Sequence, residues 1–178
     1  MNENDVREVP GGADAGPPVM AWARFWQLVE LLGGEPGTAT CHGVAEGCAR
    51  LTEALVDGSV EQVIGFGERL AEALYRLDRE ELGSLPVRSA GFPGGPSAQS
   101  DDGFLYARAA VVAAGREVYE GVSGAPERFA PFVGRHCEEL LYVHEDAYER
   151  LTGEEWDLLT RYDYESCANR DGWPGLNG

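Results

Sequence analysis

The chain has 178 residues, 43% of them hydrophobic, and its 31 acidic and 14 basic residues give a formal net charge of −17 at pH 7. This length suits one domain of ordinary size, and no apolar run approaches the roughly 18 residues that a membrane span needs. So negative a chain repels phosphate backbones and anionic lipid surfaces, which predicts no nucleic-acid partner and no membrane partner unless the few arginines cluster on one face.

Cysteine usage and the start of the chain bear on its location. The four cysteines are too few and too scattered for a disulfide scaffold, and the first residues lack the basic-then-apolar pattern of a signal peptide. We therefore expect a cytoplasmic protein. Every basic residue is an arginine, and abundant Ala, Gly and Arg without any Lys is typical of a GC-rich bacterial genome.

The amino-terminal part predicts a disordered arm followed by an aromatic helix. Residues 1–19 are rich in Pro, Gly and acidic residues, show no periodicity and cannot bury enough apolar area to offset the entropy of ordering. From Met20 onward, apolar residues recur at spacings of three and four, which predicts a helix that ends at Gly33. Its apolar stripe comprises Trp22, Phe25, Trp26, Val29 and Leu32.

Two more helices are predicted before the main connector. The second covers residues 41–56, and the third begins after Ser59, which forms a capping box with Gln62, and ends near Asp78. Residues 79–99 predict a short helical turn and then an exposed loop rich in Gly and Pro.

The later part of the chain predicts helices of unequal length. Ser100 caps a fourth helix that carries two Asp in its first turn and ends at Gly121. Pro126 starts a short fifth helix that Pro131 disturbs. A long helix follows over 134–151 and stops at Gly153.

The chain then closes with a short element. Thr152 and Glu155 resemble a capping box for a final helical turn, and the tail from Ala168 is expected to fray. The sequence thus predicts an all-α fold of about six helices, with a helical domain over 20–165 and a flexible tail over 166–178.

The segment around Ser100 is the most suggestive for chemistry. Asp101 and Asp102 follow a flexible loop, and paired carboxylates there could bind a divalent ion or a substrate amine. Arg108 lies two turns along the same helix face, where it could orient an anionic group. These three are our candidate catalytic residues. The alternative is that Ser followed by Asp simply starts a helix.

Aromatic and basic side chains give the candidate substrate-binding residues. Trp22 and Trp26 could stack a flat ligand, although aromatic residues at helical spacing more often form core. The candidate substrate-binding residues are Trp26, Tyr106, Arg116 and Tyr119.

The sequence offers little evidence for a metal site or a cofactor site. Cys41-His42 and His136-Cys137 supply the right ligand types for zinc, but adjacent residues on a helix point in different directions and lack the spacing of zinc modules. Cys137 activated by His136 is a conceivable nucleophile, and His144 is expected in the core. No phosphate loop and no dinucleotide or zincin motif occurs, so we predict no metal and no cofactor.

Three segments in order and at matching spacing make the chain resemble the bacterial family known as domain of unknown function 4240. The segments are Phe25-Trp26-Gln27-Leu28-Val29, then Ser100 to Phe104 with Arg108 and Gly115-Arg116-Glu117-Val118-Tyr119, and finally Glu139 to Val143 with Ala147 to Gly153. The chain departs from the family where relatives have Gly-Gly-Cys before Ser-Asp-Asp, since residues 85–99 read LPVRSAGFPGGPSAQ. The resemblance implies a small helical bacterial domain and points to Asp101, Asp102 and Arg108, without an established activity.

Two classes of function fit these observations. The first is a binding or regulatory module whose acidic face engages a basic protein, as in a toxin-neutralising or accessory role, and the net charge of −17 motivates it. Glu138, Glu145 and Glu149 form an acidic helix face, although such a run of charge is usually only solvated surface. The alternative is a small enzyme with its Asp/Asp/Arg site beside the loop 91–99. Self-association through the Ala-rich face of 107–114 or through Trp156 is a third hypothesis.

Overall fold

A computed structural model of the chain describes residues 18–33, 41–87 and 95–176, without the side chains of 41–43. The predicted arm therefore lies almost wholly outside the described residues, as does much of the loop 91–99. Within the described ranges the fold is all-α, as predicted, and its closest approach to a sheet is one bridge between Val87 and Ser97. The α-helices are α1 (Trp22–Val29), α2 (Cys41–Val56), α3 (Val60–Arg76), α4 (Glu80–Gly83), α5 (Asp101–Ala113), α6 (Arg116–Gly124) and α7 (Glu139–Thr152).

The first three helices follow the predicted pattern. The aromatic stripe of α1 faces the core, where Phe25 is fully buried, and a 3-10 turn over Glu30–Leu32 ends at Gly33 with a φ of 69°. The bounds of α2 are those predicted. At the start of α3 the hydroxyl of Ser59 accepts a hydrogen bond from the amide of Gln62, which confirms the predicted cap.

The helix after Ser100 is broken where the sequence predicts it to continue. Gly115 has a φ of 94°, so α5 ends at Ala113 and α6 begins at Arg116. The prediction of one helix reaching Gly121 is therefore wrong, because a glycine in this backbone conformation cannot continue the helix. The break turns α6 away from α5, and this change of direction brings Tyr119 against Trp26 of α1.

The alanines of α5 pack in the interior of the domain. Ala107, Ala109, Ala110, Ala113 and Ala114 are all buried within the chain's own core. The predicted Ala-rich face is thus covered by the chain itself and offers no surface for a second copy. Trp156, the other residue named for self-association, is partly buried and packs edge-on against His144 and Tyr148.

The carboxyl-terminal third differs from its predicted bounds. A 3-10 helix at Pro126–Phe132 takes the place predicted for the short helix and contains Pro131. The long helix α7 begins at Glu139 rather than at residue 134, where a positive φ keeps Gly134 out of the helix, and it ends at Gly153 as predicted. The final helical turn predicted after Thr152 is absent, since residues 153–169 form no helix and the Thr152 hydroxyl accepts a hydrogen bond from the amide of Glu154.

Residues beyond α7 cross back over α3, α4 and α5. Asn169, in the predicted tail, is buried, and two short 3-10 helices follow at Arg170–Gly172 and Pro174–Leu176. The domain limits given above stay predictions. Among the described residues, no helix is both long enough and apolar enough to cross a membrane.

Candidate functional site

A pocket of about 450 Å³ opens between α1, α3 and α6. Three aromatic and three arginine side chains dominate its wall, joined by one carboxylate and one hydroxyl. The lining residues are Trp22, Trp26, Arg76, Arg79, Arg116, Tyr119, Glu120 and Ser123. We call this site the Trp–Arg pocket. Its volume lies within the range of roughly 300 to 1,000 Å³ that is usual for small-molecule sites.

Aromatic contacts fix one wall of the Trp–Arg pocket. The rings of Trp22 and Trp26 stack with centroids 6.0 Å apart and planes 17° apart, and Trp26 contacts the Tyr119 ring at 5.1 Å. The Tyr119 hydroxyl donates a hydrogen bond to the carbonyl of Ala73 at 3.2 Å. Burial raises the pKa of Tyr119 to about 12, so this phenol stays protonated and holds α6 against α3.

The arginines of the pocket are oriented by carboxylates. Arg116 Nε lies 2.7 Å from Glu120 Oε1, Arg79 pairs with Glu81 at 2.9 Å, and Arg76 pairs with Glu72. Arg76 also lies over the Trp22 ring at 5.3 Å. The lining itself carries three guanidinium groups and one carboxylate, and each guanidinium group is paired with a carboxylate in or beside the pocket.

Arg79 has an unused donor within this arrangement. Its Nε atom is buried and has no hydrogen-bond partner, although Nη1 pairs with Glu81 and Nη2 donates to the carbonyl of Val122. A buried donor without an acceptor costs free energy, on the order of 1 to 3 kcal/mol. Because this Nε atom is buried, a ligand in the pocket cannot contact it directly.

The structure gathers three of the four predicted substrate-binding residues at this pocket. Trp26, Arg116 and Tyr119 all line it. Sequence reasoning missed Arg76 and Arg79, which lie three residues apart at the carboxyl end of α3 and just after it. Their spacing was not a usable signal, because Arg79 lies outside α3 in an extended backbone conformation and helical periodicity does not place it beside Arg76.

The fourth candidate, Tyr106, lies elsewhere. Its ring is 5.7 Å from that of His136, and the pKa of Tyr106 is raised by desolvation and by its hydrogen bond to Glu138. The hydroxyl of Tyr142 donates to the same carboxylate at 3.3 Å, and the carboxylate of Asp102 also raises the pKa values of both tyrosines. We call Tyr106, Tyr142, Glu138 and Asp102 the tyrosine–carboxylate patch.

The predicted catalytic residues occupy two different environments. Ser100 caps α5 by accepting a hydrogen bond from the amide of Gly103 at 3.1 Å, and Asp101 and Asp102 are exposed in its first turn. Arg108, in contrast, is fully buried. In the described part of the chain, no ion pair joins Arg108 to either aspartate.

The guanidinium of Arg108 is directed into the domain. It donates to the carbonyl of Leu74 and to the hydroxyl of Ser166, both at 3.0 Å, and lies 4.7 Å from the centre of the Phe104 ring. Burial lowers the pKa of Arg108 to about 10, an effect that the charge of Asp78 opposes, so the group is cationic at neutral pH. Its Nε atom has no partner.

One hydroxyl connects the two environments. Ser166 donates to the backbone carbonyl of Asp101 at 2.7 Å while it accepts from Arg108. The structure therefore brings Asp101 and Arg108 together through the main chain of Asp101 rather than through its carboxylate. An anionic substrate could reach Arg108 only after Ser166 had moved, and the catalytic role of these residues stays a prediction.

The histidines and cysteines of the described regions were candidate metal ligands or nucleophiles. Among the described side chains, no three His, Cys, Asp or Glu residues lie close enough to hold a metal ion, and the side chains of Cys41 and His42 lie outside the description. His144 is buried in the core, as predicted, and Cys137 is buried as well. Burial raises the pKa of the Cys48 thiol to about 11, which keeps it protonated and unreactive.

Comparison with known proteins gives one match. A family model described as protein of unknown function (DUF4240) matches residues 20–150, which includes α1 to α6 and most of α7. Neither a curated protein nor a solved structure matches the chain.

Proposed function

The chain belongs to the DUF4240 family, whose description names no activity, and from the geometry we propose that it is a regulatory or accessory module that binds a small anionic ligand in the Trp–Arg pocket. The observation that carries this proposal is the convergence of three arginines and three aromatic residues on one pocket of a strongly acidic chain. Arginines used only for solubility would be expected to scatter over the surface.

The wall chemistry defines the ligand class. Guanidinium groups bind carboxylates and phosphates through paired hydrogen bonds, and the aromatic wall suits a flat ring. A ligand that carries both a planar ring and an anionic group would contact the aromatic residues and the arginines at the same time. The anion would compete with Glu120 for Arg116.

The lining favours binding over turnover. The residues that line the pocket include no histidine and no cysteine, and the phenol of Tyr119 is held protonated. The hydroxyl of Ser123 donates to the backbone carbonyl of Tyr119 at 2.8 Å and has no neighbouring base in the lining. The pocket therefore lacks a paired nucleophile and base of the kind that hydrolytic sites use.

A fluorescence titration tests the proposal, because Trp22 and Trp26 line the site. Adenosine 5′-monophosphate, adenosine and inorganic phosphate serve as probes for ring and anion together, ring alone and anion alone. We expect the monophosphate to bind most tightly and Arg116→Ala to weaken it at least about tenfold, which corresponds to about 1.4 kcal/mol.

The control is Arg24→Ala, which removes an exposed arginine from α1 outside the pocket. It should leave the affinity unchanged. Equal weakening by Arg24→Ala and Arg116→Ala would show only a general charge effect. The absence of any saturable quench with the three probes would reject this ligand class.

A basic protein partner is a second candidate, favoured by the tyrosine–carboxylate patch. Tyr142 is 46% exposed beside the carboxylate of Glu138, and a lysine or arginine could contact the ring and the carboxylate together. Such a complex should weaken as salt rises and on Glu138→Gln. Affinity for a polyarginine peptide that did not change between low and high salt would contradict it.

A further inference from the structure

Most of the buried charged side chains in this domain form hydrogen bonds with one late segment of the chain. Among the described residues, four charged side chains are buried, namely Glu68, Glu72, Asp78 and Arg108. All of these except Glu72 hydrogen-bond to residues between 161 and 173. The segment 161–173, which we call the strap, lies beyond the residues that match the family model.

Asp78 is the principal anchor of the strap. Its Oδ1 accepts from the amide of Cys167 at 3.0 Å and from the indole nitrogen of Trp173 at 2.8 Å, and its Oδ2 accepts from the amide of Asn169 at 2.9 Å. One fully buried carboxylate thus receives three neutral donors from the strap. Hydrogen bonds to an ionised acceptor are stronger than those between neutral groups.

The remaining anchors surround this carboxylate. Arg108 donates to the hydroxyl of Ser166, and the side-chain amide of Asn169 donates to the carbonyl of Tyr75 at 3.1 Å. The Trp173 ring lies so close to Gly83 that a methyl group placed there would come within 2.4 Å of the ring. A side chain at position 83 would therefore collide with the Trp173 ring, so this position requires a glycine. We call the space above Gly83 that the ring occupies the slot.

The strap is held by these contacts rather than by its own secondary structure. Residues 161–169 form no helix, and Cys167 has a φ of 68°, a left-handed conformation that costs a non-glycine residue free energy. Leu159, just before the strap, is 94% exposed. An irregular segment bound through backbone amides, one hydroxyl and one indole resembles a docked peptide.

We propose that the surface formed by Asp78, Arg108 and Gly83 is a peptide-binding groove and that the strap is its built-in ligand. The groove accepts in trans a segment with the same chemistry, which is a peptide that folds as the strap does and presents backbone amides to Asp78, a hydroxyl to Arg108 and an indole to the slot at Gly83. Release of the strap opens the groove. This site is separate from the Trp–Arg pocket and does not depend on it.

The test uses the full chain and a fluorescently labelled peptide with the sequence of residues 161–176. A strap-weakened variant carries Ser166→Ala, Asn169→Ala and Trp173→Ala, which leave the groove intact. We expect the peptide to bind this variant at least about tenfold more tightly than it binds the unchanged chain. Adding Asp78→Asn to the variant should abolish the gain, and a peptide of scrambled sequence should not bind.

Each other outcome rejects the proposal. Equal binding to the unchanged and strap-weakened chains, or binding that survives Asp78→Asn, would show that the groove is not the site. If the variant does not fold, hydrogen exchange on the unchanged chain decides the question. The amides of Cys167 and Asn169 should then exchange by local opening, faster than the core amides of α3, and exchange only with global unfolding would make the strap a fixed part of the core.

Discussion

The guanidinium of Arg108 and the hydroxyl of Ser166 lie 3.0 Å apart, although 58 residues separate them along the chain. The same hydroxyl donates to the carbonyl of Asp101, at the start of the helix that carries Arg108. Ser166 of the strap therefore contacts both Asp101 and Arg108, the first and the last of the residues that the sequence marks as candidates for catalysis. The guanidinium of Arg108 lies inside the domain, whereas the carboxylates of Asp101 and Asp102 are exposed to solvent.

Asp78→Asn should destabilise the domain strongly. The replacement removes the charge and turns one of the two accepting oxygens into an amide donor that faces the amides of Cys167 or Asn169. Losing one partner of a buried charged network costs about 3 kcal/mol. Urea unfolding would measure the loss, with Asp157→Asn at an exposed position as the control. An unchanged midpoint would mean that the strap does not depend on Asp78.

Ser100→Ala and Asp102→Asn should separate a capping role from a chemical one. Ser100 accepts a hydrogen bond from the amide of Gly103, and removing such a cap costs about 1 kcal/mol. Asp102 is exposed in the first turn of α5, so Asp102→Asn should leave the melting temperature nearly unchanged. Thermal unfolding of both variants would show the difference. A larger loss for Asp102→Asn would contradict the exposed position of this side chain and would assign it a structural contact.

Gly115→Ala should destabilise the domain through the backbone alone. No atom lies within 4 Å of the position that the new methyl group would occupy, but the φ of 94° disfavours any residue with a side chain. We expect a loss of roughly 1 to 3 kcal/mol in the free energy of unfolding. Gly124 is the matched control, because it has equally open surroundings without a positive φ. Equal effects of the two substitutions would contradict this explanation of the break between α5 and α6.

His144 should make the domain less stable in mild acid. Burial lowers the pKa of His144 to about 4, against about 6.5 in an unfolded chain, so the unfolded chain binds more protons between these pH values. Stability is therefore fully present above pH 6.5 and falls by as much as about 1.4 kcal/mol per pH unit towards pH 4.

Urea unfolding at several pH values would measure this dependence. His144→Gln should flatten the profile between pH 6.5 and 4 whatever its effect on absolute stability, whereas His136→Gln, at an exposed position, should not. A profile that His144→Gln left unchanged would assign the acid sensitivity to other groups, among them Glu53, whose pKa is lowered by its hydrogen bond to Arg150.

Local sequence signals predicted much of the fold. The spacing of Phe25 and Trp26 predicted the buried face of α1, and the caps at Ser59 and Ser100 predicted where two helices begin. These signals work because capping and amphipathic periodicity depend on residues within one or two turns. The same locality explains the errors, since the positive φ of Gly115 and Gly134 is a choice that a glycine permits but does not require.

Which residues come together in each site could be seen only from the tertiary structure. Trp26, Arg116 and Tyr119 could be named from the sequence, but their convergence with Arg76 required the path of α6 after Gly115. Composition and periodicity established an acidic, helical domain because hydropathy and charge are properties of the residues themselves. The burial of Arg108 and Asp78 under the strap was decided only by folding, because the groups that satisfy them lie 34 to 95 residues away in the chain.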